Sequence, residues 1–267
     1  MALLRICLSL LAANIRGELQ YRANFVIMMV TGLVWDGTAF VVIWVTLSRF
    51  HTIGGWTLGE LAFLYGLLLF TGSLTTLVFS FSQGGAFEWL VLEGRFDRYL
   101  VRPLPPLLQL IMSRVHVPIL GSMLGGATLF LVANSMVRVD WSVGMVAYLA
   151  LALAGCCLLH SAIHLFGNAL VFRLLSAGMV LSVIGDFGRY GNYPLKIYHA
   201  PVRLALTFVL PLAFMGYFPA AVLLNRTGEL SVPPLVAYLA PLAGVLWFVP
   251  AYLVFQREMR QYQSAGH

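Results

Sequence analysis

FVIMMVTGLVWDGTAFVVIWVTLS (residues 25–48) places one charged side chain, Asp36, among 24 consecutive residues. A helix of roughly 20 apolar residues crosses the hydrocarbon core of a bilayer, so this stretch predicts a transmembrane helix. Comparable runs recur at 58–81, 106–133, 143–168, 174–187, 202–224 and 235–255. The whole chain has 267 residues, 60% hydrophobic and only 10% charged, with a mean hydropathy of +0.89. A soluble domain is about 45–50% apolar and about a quarter charged. The strict short-range alternation of a membrane β-barrel is absent. The pattern therefore predicts an all-α, polytopic membrane protein forming one domain.

The formal net charge of +6 would suggest nucleic acid in a soluble protein. Here the arginines fall between apolar runs, as expected where Arg and Lys orient membrane segments toward the cytoplasm. Cys7, Cys156 and Cys157 are too few for a disulfide framework. Residues 1–24 are amphipathic: Leu3, Leu4, Ile6, Leu10, Leu11 and Ile15 are interrupted by Arg5, Ser9, Asn14 and Arg16. That segment reads as a helix lying in the membrane interface, without the cleavage site of a signal peptide.

Orientation sets the number of crossings. Arg5, Arg16 and Arg22 place the N-terminus inside; Arg95, Arg98 and Arg102 place the loop after the second run inside; Arg257 and Arg260 place the tail inside. Two internal ends require an even number, yet there are seven apolar runs. Six spans result if 202–224, broken by Pro211, Gly216 and Pro219, enters and returns as a hairpin, which membranes tolerate where protein or water covers it. Arg189, Lys196, Arg203 and Arg226 then lie outside, against the charge bias, but the earlier spans dominate orientation. No internal repeat of the kind that builds many secondary transporters is visible.

The loop at 82–105 is the most charged part of the chain. In AFEWLVLEGRFDRYLVRP (86–103), Phe87, Leu90 and Val91 share one helical face and Glu88, Glu93, Asp97 and Arg98 another. Gly94 bends it, and Pro103, Pro105 and Pro106 end it and start the next run. One reading is a solvated loop that sets orientation. The other is a docking helix for a soluble partner, with Phe87, Trp89, Phe96 and Tyr99 as aromatic anchors.

Three stretches now point to a family. GELQYRANF (17–25), GRFDRYLVRPLPPLL (94–108) and YPLKIYHAPVRLALTFVLPLAFMGYFPAAVLL (193–224), with the tail RQYQSAGH, resemble the permease subunits of type-2 ATP-binding-cassette exporters, closest to the viologen or multidrug exporter branch. Tyr193 stands where that pattern has Phe, and His199-Ala200-Pro201 replaces a proline-centred turn. The resemblance implies an interfacial helix at 1–24, a cytoplasmic coupling loop at 82–105, an external re-entrant region at 188–233 and a cytoplasmic tail at 256–267. It implies a bacterial inner-membrane protein that pairs with a second permease copy or paralogue, sits in lipid and couples to a separate ATPase subunit. Coupling would fall to Phe87, Glu88, Trp89, Glu93, Gly94, Phe96, Asp97, Arg98, Arg102 and Pro103. ATP and Mg would bind the partner, with no cofactor on this chain. Independently, the only lysine, Lys196, lacks the glycines of a phosphate-binding loop.

Few other residues carry chemistry. Asp36 at mid-span costs on the order of 3 kcal/mol to insert. It marks either a pathway or a structural bridge to a partner such as Arg114. His160 and His164 lie one helical turn apart, with Cys156 four residues earlier, a spacing that suits a metal or the polar lining of a cavity. No metal is expected. Asp186 and Arg189 form either an i, i+3 ion pair or an external gate. An alternative function rests on these groups: an ion-driven secondary transporter using Asp36, Asp186 and the histidines. No nucleophile, base and acid fall together, so an enzyme is not expected.

Overall fold

The computed structural model describes residues 2–174 and 178–263. Among them the chain is helical throughout, and its only strand-like feature is an isolated bridge between Ile53 and Trp56. Helix α1 (Ala2–Gln20) is followed at Tyr21 by α2 (Arg22–Phe50), which closes where His51 turns to φ 57° and gives its N–H to the Leu47 carbonyl. Helix α3 (Leu58–Phe79) starts at a capping box in which Glu60 Oε2 accepts the Thr57 N–H at 2.8 Å. A tight elbow, Ser80–Gly85, leads into α4 (Ala86–Leu92), α5 (Asp97–Leu100) and α6 (Pro106–Ser113).

After a turn at Val117–Ile119 come α7 (Leu120–Met136), α8 (Val143–Leu174) and α9 (Gly178–Gly188). Helix α10 (Ala200–Leu204) then opens into a π-helical turn, Ala205–Val209. A second π turn, Ala213–Tyr217, opens α11 (Phe218–Leu223). Last come α12 (Pro234–Tyr238) and α13 (Ala240–Gln261).

Four stretches are long and apolar enough to cross a membrane: Arg22–Phe50, Leu58–Leu92, Val117–Met136 and Val143–Leu174. The pair Ala200–Val209 and Ala213–Leu223, bent by 78°, is a fifth if it counts as one broken span. Two expected boundaries are corrected. The run at 106–133 is not one helix. It breaks at Arg114–His116, where Arg114 stands at φ −142° and His116 at φ −97°, one turn before Pro118, which has no N–H to give back to the Arg114 carbonyl. Helix α6 instead packs beside α1, where Asn14 Nδ2 donates to the Ser113 carbonyl at 3.1 Å. The run at 174–187 falls partly outside the described residues, and α9 itself has 11 residues, about 16 Å. The ending of the tail, 264–267, also lies outside them.

Helix pairs meet through glycine, as membrane helices do where apolar burial gives no drive. A Cβ on Gly155 would meet the Pro241 backbone at 2.5 Å, and one on Gly244 would overlap the Gly155 backbone, so α8 and α13 are in backbone contact. Helices α3 and α7 approach as closely. A Cβ on Gly66 would lie 2.7 Å from the Phe130 nitrogen, and one on Gly126 would lie 2.7 Å from the Phe70 nitrogen.

Two apolar cores occupy opposite ends of α3. One gathers Ile43, Trp56, Leu61, Leu64, Leu195, Leu206, Tyr217 and Leu223. The other gathers Phe79, Phe81, Phe87, Phe96, Leu165 and Phe255. Between them α3 turns Leu68, Leu69, Gly72 and Thr76 toward a cavity.

Candidate translocation cavity and coupling segment

The cavity has a volume of about 1120 Å³, slightly above the roughly 300–1,000 Å³ of small-molecule sites. Its walls come from α2 (Trp35, Asp36, Val42), α3, the elbow (Ser82, Gln83), α4 (Glu88, Trp89), α8 (His160, His164) and the region of α9 that ends at Arg189. Four of the five expected pathway residues, Asp36, His160, His164 and Arg189, therefore line one space. The fifth, Asp186, stands one turn from Arg189, with Oδ1 and Nε 4.0 Å apart and both side chains 71% exposed.

Asp36 lies against Ser122 of α7, and its second oxygen, Oδ2, is shielded from solvent with no hydrogen-bond partner among the described residues. The Tyr65 hydroxyl donates to the Asp36 carbonyl at 3.2 Å. The expected bridge to Arg114 is not formed: Arg114 sits beside the Tyr99 hydroxyl, at the aromatic end of the molecule.

His160 Nδ1 donates to the Cys156 carbonyl at 3.0 Å, while the Cys156 thiol turns away to the Phe214 carbonyl at 3.6 Å. The Cys156–His160–His164 spacing thus does not converge, and no group of three His, Cys, Asp or Glu side chains able to hold a metal occurs among the described residues. His164 instead meets the elbow, with Nδ1 3.0 Å from Ser82 Oγ and Nε2 3.4 Å from Gln83 Nε2. Ser82 also donates to Asn168 Oδ1 at 3.2 Å.

The candidate coupling segment has two faces. Phe87, Phe96 and Tyr99 are 1%, 0% and 3% exposed, so they are not surface anchors, which corrects that expectation. Phe87 packs on Phe172 and Phe255, and Phe96 on Phe172 and Tyr262, with centroids 5.3–6.0 Å apart. Burial of these rings outweighs any gain from facing solvent. Glu88 lines the cavity. Gly94, at φ 65°, makes the turn between α4 and α5 that a side chain would strain.

What faces outward is Glu93, Arg95, Arg98, Leu100, Val101, Arg102 and Pro103, while Trp89, though exposed, lines the cavity. Val101 is 83% exposed amid three arginines. Glu93 and Arg95 pair at 2.8 Å on the same surface. Burial alone would raise the Tyr99 phenol pKa, but hydrogen bonds from Ser113, Arg98 and Arg114 and the Arg98 charge hold it below its ordinary value. Gln109 pins the segment from beneath, donating to the Tyr99 and Leu104 carbonyls at 3.0 and 2.7 Å.

Sequence reasoning missed several residues. At one end, Arg226 donates to Glu60 at 2.7 Å, to the Gly55 carbonyl at 2.9 Å and to Glu229 at 3.0 Å. At the other, Arg173 pairs with Glu258 at 2.6 Å. Only the i, i+3 spacing of Arg226 and Glu229 is a local signal; nothing local marks Glu60 or Glu258. Ser82 and Gln83 read as the start of the charged loop, and Ser122 and Asn168 as ordinary polar residues within apolar runs.

Long apolar helices around a cavity, with a charged segment seated on the bundle at one end, define a multi-pass membrane transport subunit. Residues 33–266 match the family model described as ABC-2 family transporter protein, and the chain belongs to that family. No curated protein and no solved structure matches it. Members are the membrane subunits of ATP-binding-cassette transporters and normally work with an ATP-binding subunit.

Proposed function

We propose that the chain is the permease half of an exporter in a bacterial inner membrane, driven by an ATPase on a separate polypeptide and paired with a second permease. The single observation that carries this reading is continuity: one cavity runs from Glu88 and Trp89 of the coupling segment past Asp36 to Arg189. Movement of that segment by a docked ATPase reshapes the wall of the space that cargo occupies. The outward patch of Leu100 and Val101 ringed by Arg95, Arg98 and Arg102 is the docking surface, an apolar tip with cationic steering. Trp35, Val42, Leu68 and Met215 in the cavity wall suit hydrophobic or amphipathic cargo, as in multidrug efflux.

Six crossings are part of this reading. Helices α3, α8 and α13 each contribute to both cores, while α2 and 117–136 join the first. The chain leaves the aromatic core at Phe172 and arrives through α9 at Gly191 beside Leu212. Both limbs of the bent pair, Leu206 and Leu223, join the same core, which supports a hairpin that returns to the side it entered. With α1 in the cytoplasmic interface, both termini lie inside.

A second reading, an ion-driven transporter, draws on Asp36, whose shielded oxygen has no hydrogen-bond partner among the described residues. Efflux of a fluorescent amphipathic dye such as ethidium from cells separates the two. Loss with vanadate and persistence with an uncoupler supports the exporter; the reverse supports ion drive.

A further inference from the structure

Four side chains on α8 stand four residues apart: His160, His164, Asn168 and Phe172. At 3.6 residues per turn they form one slowly winding stripe. Its upper part lines the cavity, and its lower end, Phe172, packs against both Phe87 and Phe96 of the coupling segment. Between these lies the elbow, held by Ser82.

With Asn168 Oδ1 turned toward Ser82, the hydrogen-bond directions at the elbow follow. Asn168 Oδ1 only accepts, so the single Ser82 hydroxyl proton goes to it. His164 Nδ1 must then donate to Ser82 Oγ. The Gln83 amide, shared with Thr76 Oγ1 at 3.4 Å, gives its other proton to His164 Nε2. Ser82 is 4% exposed and Asn168 fully buried, so the bond between them is sheltered from water, and a buried polar group left unmatched costs about 1–3 kcal/mol. Gly85, at φ 75°, turns the chain directly from this elbow into α4.

We propose that Ser82 and His164 are the joint through which displacement of the coupling segment reaches the cavity wall. They are positioning residues: they hold α3, the elbow and α8 in one register, so α4 does not move without carrying Gln83 and His164 with it. This deepens the exporter reading and rests on it. It assigns to Ser82 and Asn168 a role in coupling that neither docking nor cargo contact requires.

The test is an accessibility measurement on the full complex. A cysteine placed at Thr38, which lines the cavity, in a chain whose three native cysteines are replaced, is labelled with a maleimide dye without nucleotide and with ATP plus vanadate. With Ser82 and His164 intact, the labelling rate changes by at least about fivefold between the two states. Ser82→Ala and His164→Leu, each still bringing down the ATPase, bring that ratio close to one, while Ser82→Thr, which keeps the hydroxyl, preserves it. A ratio that survives both Ser82→Ala and His164→Leu overturns the joint and leaves the exporter reading standing. An intact permease that brings down no ATPase overturns both.

Discussion

Phe87 meets Phe172 edge-on, ring centroids 5.4 Å apart and planes at 87°. One ring belongs to the coupling segment and the other to the end of a 32-residue helix that also lines the cavity. The aromatic face of the segment is therefore a fastening to the permease itself. Its outward face leaves Val101 83% exposed.

Phe87→Ala removes a fully buried ring from this cluster. Truncations of this kind cost about 3–5 kcal/mol. The variant should lose thermal stability in detergent, read by the unfolding temperature. Trp89→Ala, at a 63% exposed position, should leave that temperature within error.

Arg226 is tied to Glu60 across 166 residues and lies over the Trp56 ring, 5.7 Å from its centroid. Arg226→Ala leaves Glu60, with 14% of its side chain exposed, without its cation. Loss of about 2 kcal/mol is expected from the charged hydrogen bonds alone. Arg226→Lys should recover less than half, since an ammonium cannot span Glu60, Glu229 and the Gly55 carbonyl with one planar fork. Chemical denaturation of both variants checks the order.

Gly244→Leu forces α13 off α8. The backbone of Gly155 already occupies the space a side chain would need, and overpacking costs about 1–3 kcal/mol. A drop in folded yield and unfolding temperature is expected, larger than for Gly185→Leu, where a Cβ meets nothing within 4 Å.

Asp36→Asn keeps the shape and removes the charge from the cavity wall. Under the exporter account the complex assembles and the dye-efflux rate shifts by about tenfold or less, the range of one altered polar contact. Under ion drive efflux is abolished altogether. Initial efflux rates at matched expression distinguish them.

Much of the fold was legible because hydropathy and length report directly on the bilayer. The runs at 25–48 and 58–81 became helices within three residues of their expected bounds, 143–168 continued six residues further, and 235–255 is displaced to Ala240–Gln261. The break at Arg114–His116 was not read, although Pro118 announced it, because a long apolar run averages over a three-residue interruption. The face of Phe87, Leu90 and Val91 was visible as an i, i+3, i+4 set, but periodicity says which residues share a face and not which face is covered. Phe96 and Tyr99 were misplaced on the surface for that reason. Ser82 with His164 and Arg226 with Glu60 are separated by 82 and 166 residues, and only the fold brings them together.

The central claim is that the segment around Val101 docks an ATPase, and affinity purification from mild detergent tests it most directly. Tagged permease and the double variant Arg98→Ala with Val101→Asp are purified side by side, and ATP hydrolysis in each eluate is measured. The account predicts hydrolysis with the unaltered chain and its loss from the variant, at equal unfolding temperatures. Equal hydrolysis in both eluates, or none with the unaltered chain, would contradict it.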